Sequence, residues 1–438
     1  MTSSPGPAPR RIEPFGGPLD ADVRLPGSKS ITNRALVAAA LATGESHLRG
    51  VLLADDTDAM LDGLARLGVD VAVDRDRRTV TIVGTGGRLG AAGVEVDARL
   101  SGTTSRFLLP VLGLAPGPVR LDGGAPLRRR PMGESIDALR ALGATVEEPE
   151  GRGHLPVVVS GGPVPGGAVA VRGDASSQFL SGLLLSAPPM ADGLEVSVEG
   201  PLVSLPYVAM TVAVMRAFGA TVHVGGDDRA FAVAGTGYRA ADFDVEPDAS
   251  AASYVLAAAA ICGGRVRVAG LGRGALQGDV AFADVLARMG AEVTRTDDAI
   301  EVRGTGVLHG VEVDMADISD TAQTFAAVAV FAEGPSEARG IGFIRRKETD
   351  RIAAVVTELR RCGIGAEETD DGFRIEPGTP GPAVIETYDD HRMAMSFALL
   401  GLRVPGIEIA DPGCVAKTFP DYFEVLESMR PDPARATR

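Results

Sequence analysis

Two scarcities in this 438-residue chain narrow the classes of protein to which it can belong. Only three cysteines occur, Cys262, Cys362 and Cys414, which are too few and too scattered for a disulfide framework or a thiolate metal site. No apolar run reaches the ~18 residues that a membrane-spanning helix needs, and the N-terminal residues lack the apolar core of a signal peptide. We therefore expect a globular protein of the reducing cytoplasm.

Lysine is also scarce, and its placement is the most informative feature of the sequence. Only Lys29, Lys347 and Lys417 occur among 43 basic residues, and each lies in a short polar motif. Because arginine serves almost everywhere else, these motifs call for a compact, strongly hydrated ammonium that can act as a point charge or carry a proton. The placement predicts three parts of one functional site. The alternative is a general arginine bias with three leftover surface lysines.

Length and charge indicate the architecture and the class of ligand. A chain of 438 residues exceeds the size at which one core keeps growing, so we expect two or more domains. The formal net charge of -15 disfavours nucleic acid and anionic membranes as partners. An anionic ligand must therefore meet a local basic cleft, which suits small anions better than polymers.

A phrase of helix end, glycine and strand recurs five times along the chain. Its glycines, Gly68, Gly143, Gly219, Gly290 and Gly363, lie 71 to 76 residues apart, which is too long for a solenoid and fits a compact helix-and-strand unit. Each phrase indicates an amphipathic helix stopped by a left-handed glycine and, in most cases, followed by a β-branched strand. The chain has room for six units, and its size favours two lobes of three over one ring, with the ligands between the lobes.

The chain is predicted to cross from one lobe to the other twice, near residues 24–27 and 245–248. The second lobe then comprises residues 27–246, and the first comprises 1–26 with 247–438, so that it contains both termini. Both ends, through about Arg11 and from about Pro431, are predicted to be loose tails.

Three motifs are predicted to open helices with hydroxyls and backbone amides. Leu-Pro-Gly-Ser-Lys-Ser at 25–30 precedes a helix expected at 32–41, so Ser28, Lys29 and Ser30 lie at a helix N-terminus that favours an anion. The glycine spacing of a Walker motif is missing, which disfavours a nucleotide triphosphatase. The segments 100–106 and 174–179 repeat the pattern, although each alone could be a simple capped helix.

Two further motifs concentrate charge. Residues 345–351 contain four cations and two carboxylates, and on a helix Lys347 and Arg351 would face the same way with Glu348 beside them. A solvated charge run is the ordinary alternative. Residues 387–396 lead a polar cluster into an apolar helix, where His391 could be a metal ligand or a general base. No HExxH or paired-histidine spacing supports a metal.

Taken in order, these motifs closely resemble those of the 5-enolpyruvylshikimate-3-phosphate synthase family of enolpyruvyl transferases, from about Val23 to Phe423. The resemblance is carried by Leu-Pro-Gly-Ser-Lys-Ser, Lys-Glu-Thr-Asp-Arg, Asp-His-Arg-Met-Ala-Met and Ala-Lys-Thr-Phe-Pro-Asp-Tyr-Phe. It implies a two-lobed α/β fold in which each lobe contains three βαβαββ-type units, six in all, arranged as an inside-out α/β barrel. It also implies a monomeric enzyme that needs no cofactor or metal.

The resemblance further implies which residues bind the two substrates. Those expected at shikimate 3-phosphate are Lys29, Ser30, Arg34, Ser176, Ser177, Ser204, Tyr207, Asp320 and Lys347. Those expected around phosphoenolpyruvate are Lys29, Gly102, Arg130, Gln178, Arg351, Arg392 and Lys417. We assign Asp320 as the base toward the 5-hydroxyl and Glu348, with Lys29, as the proton source for C3 of phosphoenolpyruvate. The reverse division between the two carboxylates stays open.

The chain departs from the family pattern at a few positions. Leu100 stands where an asparagine is common, Phe107 where a proline often follows Arg106, and Phe343-Ile344 where many members have Asn-Trp. A hydrogen bond to substrate is expected to be lost. These departures leave open a paralogue that acts on a modified shikimate-like alcohol.

Two competing functions are less compatible with the sequence. One is that of the related UDP-N-acetylglucosamine enolpyruvyl transferase, whose loop cysteine acts as an acid, and no cysteine lies in a corresponding loop near Arg130. The second is that of a non-catalytic anion-binding protein, which has no need of Asp320 and Glu348 among its cations.

Overall fold

The computed structural model describes residues 8–90, 92–174 and 176–431, which form 13 α-helices, 24 strands and four 3-10 helices. The α-helices are α1 (Lys29–Leu41), α2 (Asp55–Arg66), α3 (Gly102–Leu112), α4 (Ala125–Arg128), α5 (Gly133–Ala141), α6 (Ser177–Ser186), α7 (Leu205–Ala217), α8 (Ala249–Cys262), α9 (Phe282–Arg288), α10 (Ala322–Ala329), α11 (Arg351–Arg361), α12 (His391–Gly401) and α13 (Tyr422–Ser428). The 3-10 helices are Gly278–Ala281, Ala316–Thr321, Gly342–Arg346 and Pro412–Lys417. Within those ranges no helix is long and apolar enough to cross a membrane.

The strands are short, with two to eight residues each. The first twelve are β1 (Arg10–Arg11), β2 (Leu19–Val23), β3 (Ala42–Arg49), β4 (Asp70–Asp74), β5 (Thr79–Thr85), β6 (Val94–Asp97), β7 (Val119–Asp122), β8 (Thr145–Glu147), β9 (Val157–Ser160), β10 (Gly167–Arg172), β11 (Leu194–Glu199) and β12 (Val222–Val224). The second twelve are β13 (Ala230–Val233), β14 (Tyr238–Arg239), β15 (Asp242–Asp244), β16 (Gly264–Ala269), β17 (Glu292–Arg295), β18 (Ala299–Gly304), β19 (Glu312–Asp314), β20 (Ser336–Arg339), β21 (Ala366–Glu368), β22 (Phe373–Ile375), β23 (Ala383–Ile385) and β24 (Ile407–Ile409).

The chain divides by its contacts into two units, Gly27–Glu246 and the remainder, which runs through Pro26 and resumes at Pro247. Each unit has its own apolar core. One predicted tail is partly wrong, because Arg10 and Arg11 form β1 and pair antiparallel with β24. Residues 1–7 and 432–438 of the predicted tails lie outside the described residues.

The strands form six small open sheets, three in each unit. Their strand orders are β1-β24-β23, β2-β16-β18-β17, β14-β3-β5-β4 with β15 also on β3, β6-β7-β9-β8, β10-β11-β13-β12 and β19-β20-β22-β21. In five of them a parallel pair is joined by an antiparallel hairpin, as when β10, α6, β11, α7, β12 and β13 follow one another. Six sheets, and hence six units, are confirmed, although the sheet β1-β24-β23 has only three strands and lacks the hairpin of the other five. Among the described residues no sheet closes into a barrel.

Three of the six sheets join distant parts of the chain: β1 pairs with β24, and two other sheets contain parallel strands from far away in the sequence. Strand β2 pairs in parallel with β16, so that Leu19 lies opposite Gly264. In the sheet of β3, the strands β14 and β15 pair in parallel with β3, so that Asp242 lies opposite His47. The repeat therefore keeps its spacing along the chain, although one or two strands of each of these sheets come from far away in the sequence.

The five repeated glycines end helices as predicted. Their φ values run from 78° to 110°, in the left-handed region that favours glycine. Behind α2, the Gly68 N–H donates to the Ala65 carbonyl and the Val69 N–H to the Leu64 carbonyl, the pair of bonds of a Schellman motif. The same two bonds recur at the other four glycines, and a strand follows each within three residues.

Helices that are buried on every side carry the polar motifs into the molecule. In α1 every residue from Ile31 to Leu41 is buried, and in α8 every residue from Ala249 to Ile261 is buried. Such all-round apolar helices belong to the centre of a core. In α1 only Lys29 and Ser30 are not buried, so its polar motif lies where the core of that unit ends.

Residues 345–351 do not form the single helix on which Lys347 and Arg351 would face the same way. The 3-10 helix Gly342–Arg346 stops before Lys347, which has a non-helical ψ of -139°, and α11 begins only at Arg351. The side chain of Asp350 accepts a hydrogen bond from the Ala353 N–H at 3.0 Å and so caps α11. Since Asp is a strong N-cap residue, the charged segment breaks into a turn followed by a new helix.

Candidate active site

In the unit Gly27–Glu246, the first site element is the start of α1. Ser28 caps this helix through its side chain, which accepts from the Ile31 N–H. The helix begins at Lys29 and not at the expected residue 32, and the prediction that Ser28, Lys29 and Ser30 lie at a helix N-terminus is confirmed. The ammonium of Lys29 lies 3.4 Å from a carboxylate oxygen of Asp56, which is nearly buried at the first turn of α2. Ser30 follows in the first turn of α1. A cation, a hydroxyl and the N–H groups of a helix start thus stand together, which is a setting for an anion.

Arg34 is buried in the second turn of α1 and is 1% exposed. Its Nε donates to Thr211 Oγ1 at 2.7 Å, Nη1 to the Ser30 carbonyl at 2.8 Å and Nη2 to the Tyr207 carbonyl at 3.1 Å. Burial lowers the pKa of Arg34 from 12.5 to about 10, because all these partners are neutral. The side chain therefore ties the first turns of α1 and α7 together, and its contact with a substrate stays a prediction.

Phe107 has a structural role that explains its departure from the family pattern. Its ring is fully buried, and the guanidinium carbon of Arg34 lies 5.0 Å from the ring centroid. A cation over an aromatic face is attracted by the ring quadrupole. Phe107 thus gives a buried, desolvated cation a partner that proline could not provide.

Gly102 and Arg130 are in direct contact. Gly102 is the first residue of α3, which Ser101 caps by accepting from the Thr104 N–H at 3.1 Å. A Cβ at Gly102 would lie 2.6 Å from Nη1 of Arg130, closer than such atoms approach. Glycine here lets the guanidinium of Arg130 lie against the start of α3.

The start of α6 joins that of α3. Ser176 caps α6 and its Oγ accepts from the Gln178 N–H at 3.3 Å, which confirms the predicted helix start with Ser177 as its first residue. The Gln178 amide oxygen accepts from Arg106 Nη1 at 2.8 Å, and its nitrogen donates to Thr103 Oγ1 at 3.4 Å. Both amide atoms are therefore oriented.

Ser204 and Tyr207 lie at the start of α7. Ser204 is the N-cap residue with a φ of 55°, a left-handed conformation that is uncommon for a residue other than glycine. Pro206 in the first turn suits a helix start, because its missing N–H needs no partner there. Through Arg34, this strained turn is held next to the start of α1.

In the other unit, the centre of the site is Arg351, which is 2% exposed at the first residue of α11. Three carboxylates surround its guanidinium: Asp390 lies 2.8 Å from Nε, Asp320 lies 3.1 Å from Nη1 and Glu348 lies 2.8 Å from Nη2. Burial by itself lowers the pKa of Arg351, but the three carboxylates outweigh it, so that the net pKa is raised.

Asp320 is shared between two arginines. Its Oδ1 accepts from Arg351, and its Oδ2 accepts from Arg392 Nη2 at 2.6 Å. Arg392 also donates to the Asp320 carbonyl at 3.0 Å and lies on α12, whose N-cap is Asp390. The carboxylate is therefore fixed in orientation from both sides.

Glu348 faces a second cation as well. One of its oxygens accepts from Arg351, and the other lies 3.5 Å from the ammonium of Lys417. The ammonium of Lys347 lies 5.8 Å from the ring centroid of Phe343. Five predicted residues thus form one network in this unit: Asp320, Glu348, Arg351, Arg392 and Lys417.

The network includes residues that the sequence analysis did not assign. Asp390 lay inside a quoted motif, but nothing in its spacing showed that it pairs with Arg351 across 39 positions. Asp56 is likewise the partner of Lys29, and its only sequence signal is an acidic pair at the start of α2. In the described ranges, no cluster of three His, Cys, Asp or Glu residues is arranged to hold a metal ion.

The three cysteines are poor proton donors and nucleophiles. Burial raises the pKa of Cys262 to about 12, of Cys362 to about 11 and of Cys414 to about 12. A thiol of this kind stays protonated and unreactive at neutral pH. The geometry therefore disfavours a cysteine acid.

Comparisons with known proteins agree over nearly the whole chain. The sequence profile of the family described as EPSP synthase (3-phosphoshikimate 1-carboxyvinyltransferase) matches residues 15–426. A curated protein of Nostoc punctiforme named 3-phosphoshikimate 1-carboxyvinyltransferase is 47% identical over 412 residues, covering 94% of this chain and 97% of that protein. A protein of the same name from Laribacter hongkongensis is 48% identical over 419 residues, with the same two coverages.

A solved structure is similar as well. The EPSP synthase of Acinetobacter baumannii superposes with a TM-score of 0.82 at 28% identity, covering 96% of this chain and 98% of that one. The likeness therefore extends to the whole described fold and is not confined to the motifs.

Proposed function

Since this chain belongs to the EPSP synthase family, we propose that its two groups of site residues bind the substrates of that family's reaction and join them. The chain transfers the enolpyruvyl group of phosphoenolpyruvate to the 5-hydroxyl of shikimate 3-phosphate and releases phosphate, a step of the shikimate pathway toward chorismate and the aromatic amino acids. The relatives do not favour UDP-N-acetylglucosamine as the acceptor.

The residues of Gly27–Glu246 are proposed to hold the anionic groups of the substrates. Shikimate 3-phosphate is assigned to Lys29, Ser30, Arg34, Ser176, Ser177, Ser204 and Tyr207, and phosphoenolpyruvate to Lys29, Gly102, Arg130 and Gln178. Four helix starts with hydroxyls, amides and cations support this assignment, because such groups favour phosphate and carboxylate.

The residues of the other unit are proposed to carry the proton transfers. Asp320 and Lys347 are assigned to shikimate 3-phosphate, and Arg351, Arg392 and Lys417 to phosphoenolpyruvate. The observation that carries this proposal is that Asp320 and Glu348 both bind one buried guanidinium, that of Arg351. Two carboxylates with fixed orientation suit a reaction in which one proton leaves and another is delivered.

The chemistry uses these residues in two steps. The 5-hydroxyl oxygen forms a bond to C2 of phosphoenolpyruvate while its proton passes to Asp320 and C3 receives a proton from Glu348 with Lys29, which gives a tetrahedral phospho-ketal. C3 then returns a proton as the bond from C2 to the phosphate oxygen breaks. The ammonium of Lys417 beside Glu348 offers a proton-carrying group at that carboxylate.

Phosphate release from phosphoenolpyruvate tests the proposal. Purified protein is assayed with shikimate 3-phosphate, with UDP-N-acetylglucosamine and with no acceptor. Release only with shikimate 3-phosphate is the expected result. Release with UDP-N-acetylglucosamine, or with none of the three, would overturn the assignment of the acceptor.

We also propose that the enzyme is a monomer of the cytoplasm. Light scattering after size exclusion should give a mass near 45.0 kDa, and a mass near twice that value would contradict the first part. Fractionation of the source cells should find the phosphate-releasing activity in the cytosol, and recovery with membranes would contradict the second.

A further inference from the structure

A fourth carboxylate lies behind the network and has no part in the proposed reaction. Asp279, in the 3-10 helix Gly278–Ala281, is 3% exposed and accepts a hydrogen bond from the hydroxyl of Ser250. Ser250 in turn lies 3.5 Å from Nη2 of Arg392, the nitrogen that donates to Asp320 at 2.6 Å. One hydroxyl therefore connects Asp279 to the arginine that fixes Asp320.

The segment that carries Asp279 is itself fixed. Gln277, two residues earlier, donates from Nε2 to the Pro247 carbonyl at 2.6 Å and accepts from the Ala249 N–H at 3.0 Å. These bonds attach the 3-10 helix to the first residues of α8, which include Ser250. Asp279 and Ser250 thus stand on two segments that are hydrogen-bonded to each other.

Charged and titratable groups face Asp279 from several elements. From the cap of α8 comes Asp248, from the neighbouring 3-10 helix comes Asp320, and from α12 comes Arg392. On α9, Asp284 pairs with Arg295, whose Nη2 donates to the Val280 carbonyl. Burial and the charge of Asp320 raise the pKa of Asp279 from 3.8 to about 7, against the opposing effects of Ser250 and Arg392. Asp279 therefore changes charge near neutral pH.

We infer that Asp279 is a positioning residue for the proposed reaction: through Ser250 it holds Arg392 against Asp320, and its negative charge favours uptake of a proton by Asp320. The inference rests on the proposed function, in which Asp320 accepts the proton of the 5-hydroxyl. Since like charges raise each other's affinity for protons, ionisation of Asp279 makes Asp320 a stronger base. Turnover then rises as pH passes through the range in which Asp279 ionises.

The test compares the full-length wild type with Asp279→Asn between pH 6 and pH 8. Asparagine keeps the shape of the side chain and can accept from Ser250, but it cannot ionise. We expect nearly equal kcat values at pH 6 and a wild-type kcat about tenfold higher at pH 8, which corresponds to one unit of proton affinity. A ratio that stays constant across the range, whether at one or at a larger value, would overturn the inference.

Stability gives a second readout. The protonated Asp279 stabilises the fold at low pH, and this contribution is lost as pH rises from about 4 through about 7, because the folded state holds the proton more tightly than the unfolded chain. The asparagine variant should therefore gain stability relative to wild type between pH 5 and pH 8. A relative loss over that range would contradict the assigned ionisation.

Two variants complete the experiment. Asp284→Asn removes an equal charge from the exposed carboxylate that pairs with Arg295, and it should leave the pH profile unchanged. If Asp279→Asn does not fold, Ser250→Ala takes its place. Loss of the Ser250 donor raises the pKa of Asp279, so the rise of kcat with pH should move to higher pH. A rise of kcat at the same pH as in wild type would overturn the inference. If wild type itself releases no phosphate with shikimate 3-phosphate, the proposed function fails first, and the two failures are distinguished.

Discussion

Two buried arginines show how differently the two units treat positive charge. Arg34 and Arg351 are 1% and 2% exposed, and each lies in the first or second turn of a helix. Arg34 has only neutral hydrogen-bond partners among the described residues, and its pKa is lowered to about 10. Arg351 touches three carboxylates, and its pKa is raised.

The difference separates two tasks. Around Arg34, a buried cation with only neutral hydrogen-bond partners leaves positive potential for anionic substrates to neutralise, although Lys29 in the same unit pairs with Asp56. A unit that surrounds its cation with carboxylates holds those carboxylates in fixed orientations, where they can exchange protons. Anion binding and proton transfer thus call for opposite surroundings of the same residue type.

The largest effect is expected from Glu348→Gln, which removes a carboxylate from the network around Arg351. Glutamine keeps a hydrogen-bonding oxygen for Arg351 but cannot deliver a proton, so kcat should fall by about 10²- to 10⁴-fold while the fold is kept. Phosphate release under saturating substrates measures it.

The matched control is Glu368→Gln, which removes the exposed partner of Arg345 in the same unit. Its kcat should equal that of wild type. Near-normal turnover of Glu348→Gln would show that this carboxylate has no part in proton transfer.

The next effect contrasts Arg351→Met with Arg34→Met in unfolding experiments. Arg351→Met leaves three carboxylates close together and should cost about 3–5 kcal/mol at pH 7. Arg34→Met leaves carbonyl and hydroxyl groups unsatisfied and should cost about 2–3 kcal/mol. Denaturant unfolding at pH 7 and pH 5 measures both.

The two deficits should respond differently to acid. Protonated carboxyls no longer repel one another, so the deficit of Arg351→Met should shrink at pH 5, whereas that of Arg34→Met should not change. Equal pH dependence of the two variants would remove the contrast between the units.

A smaller effect is expected from Gly102→Ala in the unit Gly27–Glu246. The new methyl group would lie 2.6 Å from Arg130 Nη1, so the guanidinium must move and the KM for phosphoenolpyruvate should rise about tenfold. Steady-state kinetics with shikimate 3-phosphate at saturation measures this change.

Gly90→Ala is the control for that substitution, because a Cβ at Gly90 meets no atom within 4 Å. It should leave the KM unchanged. If Gly102→Ala also leaves the KM unchanged, Arg130 does not bind phosphoenolpyruvate in the proposed way.

The smallest effect is expected from Phe343→Leu, which removes the ring near Lys347 in the unit that contains Arg351. A partly exposed cation–π contact contributes about 0.5–1 kcal/mol, so the KM for shikimate 3-phosphate should rise about two- to fivefold. Phe331→Leu removes a ring under Arg403, away from the site, and should not change it. An equal effect of both substitutions would point to general loosening of the core.

Local features of the fold were predictable because local chemistry decides them. The five glycines end helices since only glycine adopts a φ near 90° without strain, and the motifs before α1, α3 and α6 open helices since Ser is a good N-cap. Local chemistry also decides why residues 345–351 are not one helix, because Asp350 caps α11 and separates it from the preceding turn.

Pairings over long distances in sequence were not predictable. The sequence does not show that Leu19 lies opposite Gly264, that Asp390 binds Arg351 or that Ser250 joins Asp279 to Arg392. Such contacts depend on how whole units fold back on themselves, since many partners of the same charge are available along the chain.

The sequence by itself determined the number of units, the helix starts at the polar motifs before α1, α3 and α6 to within a few residues, and the residue types that are proposed to meet an anion. These follow from backbone preferences that act within a few residues. Only the tertiary structure decided that Arg34 has neutral surroundings whereas Arg351 is surrounded by carboxylates. The physical reason is that the charge state of a buried group depends on desolvation and on the distance to other charges, and the fold alone fixes both.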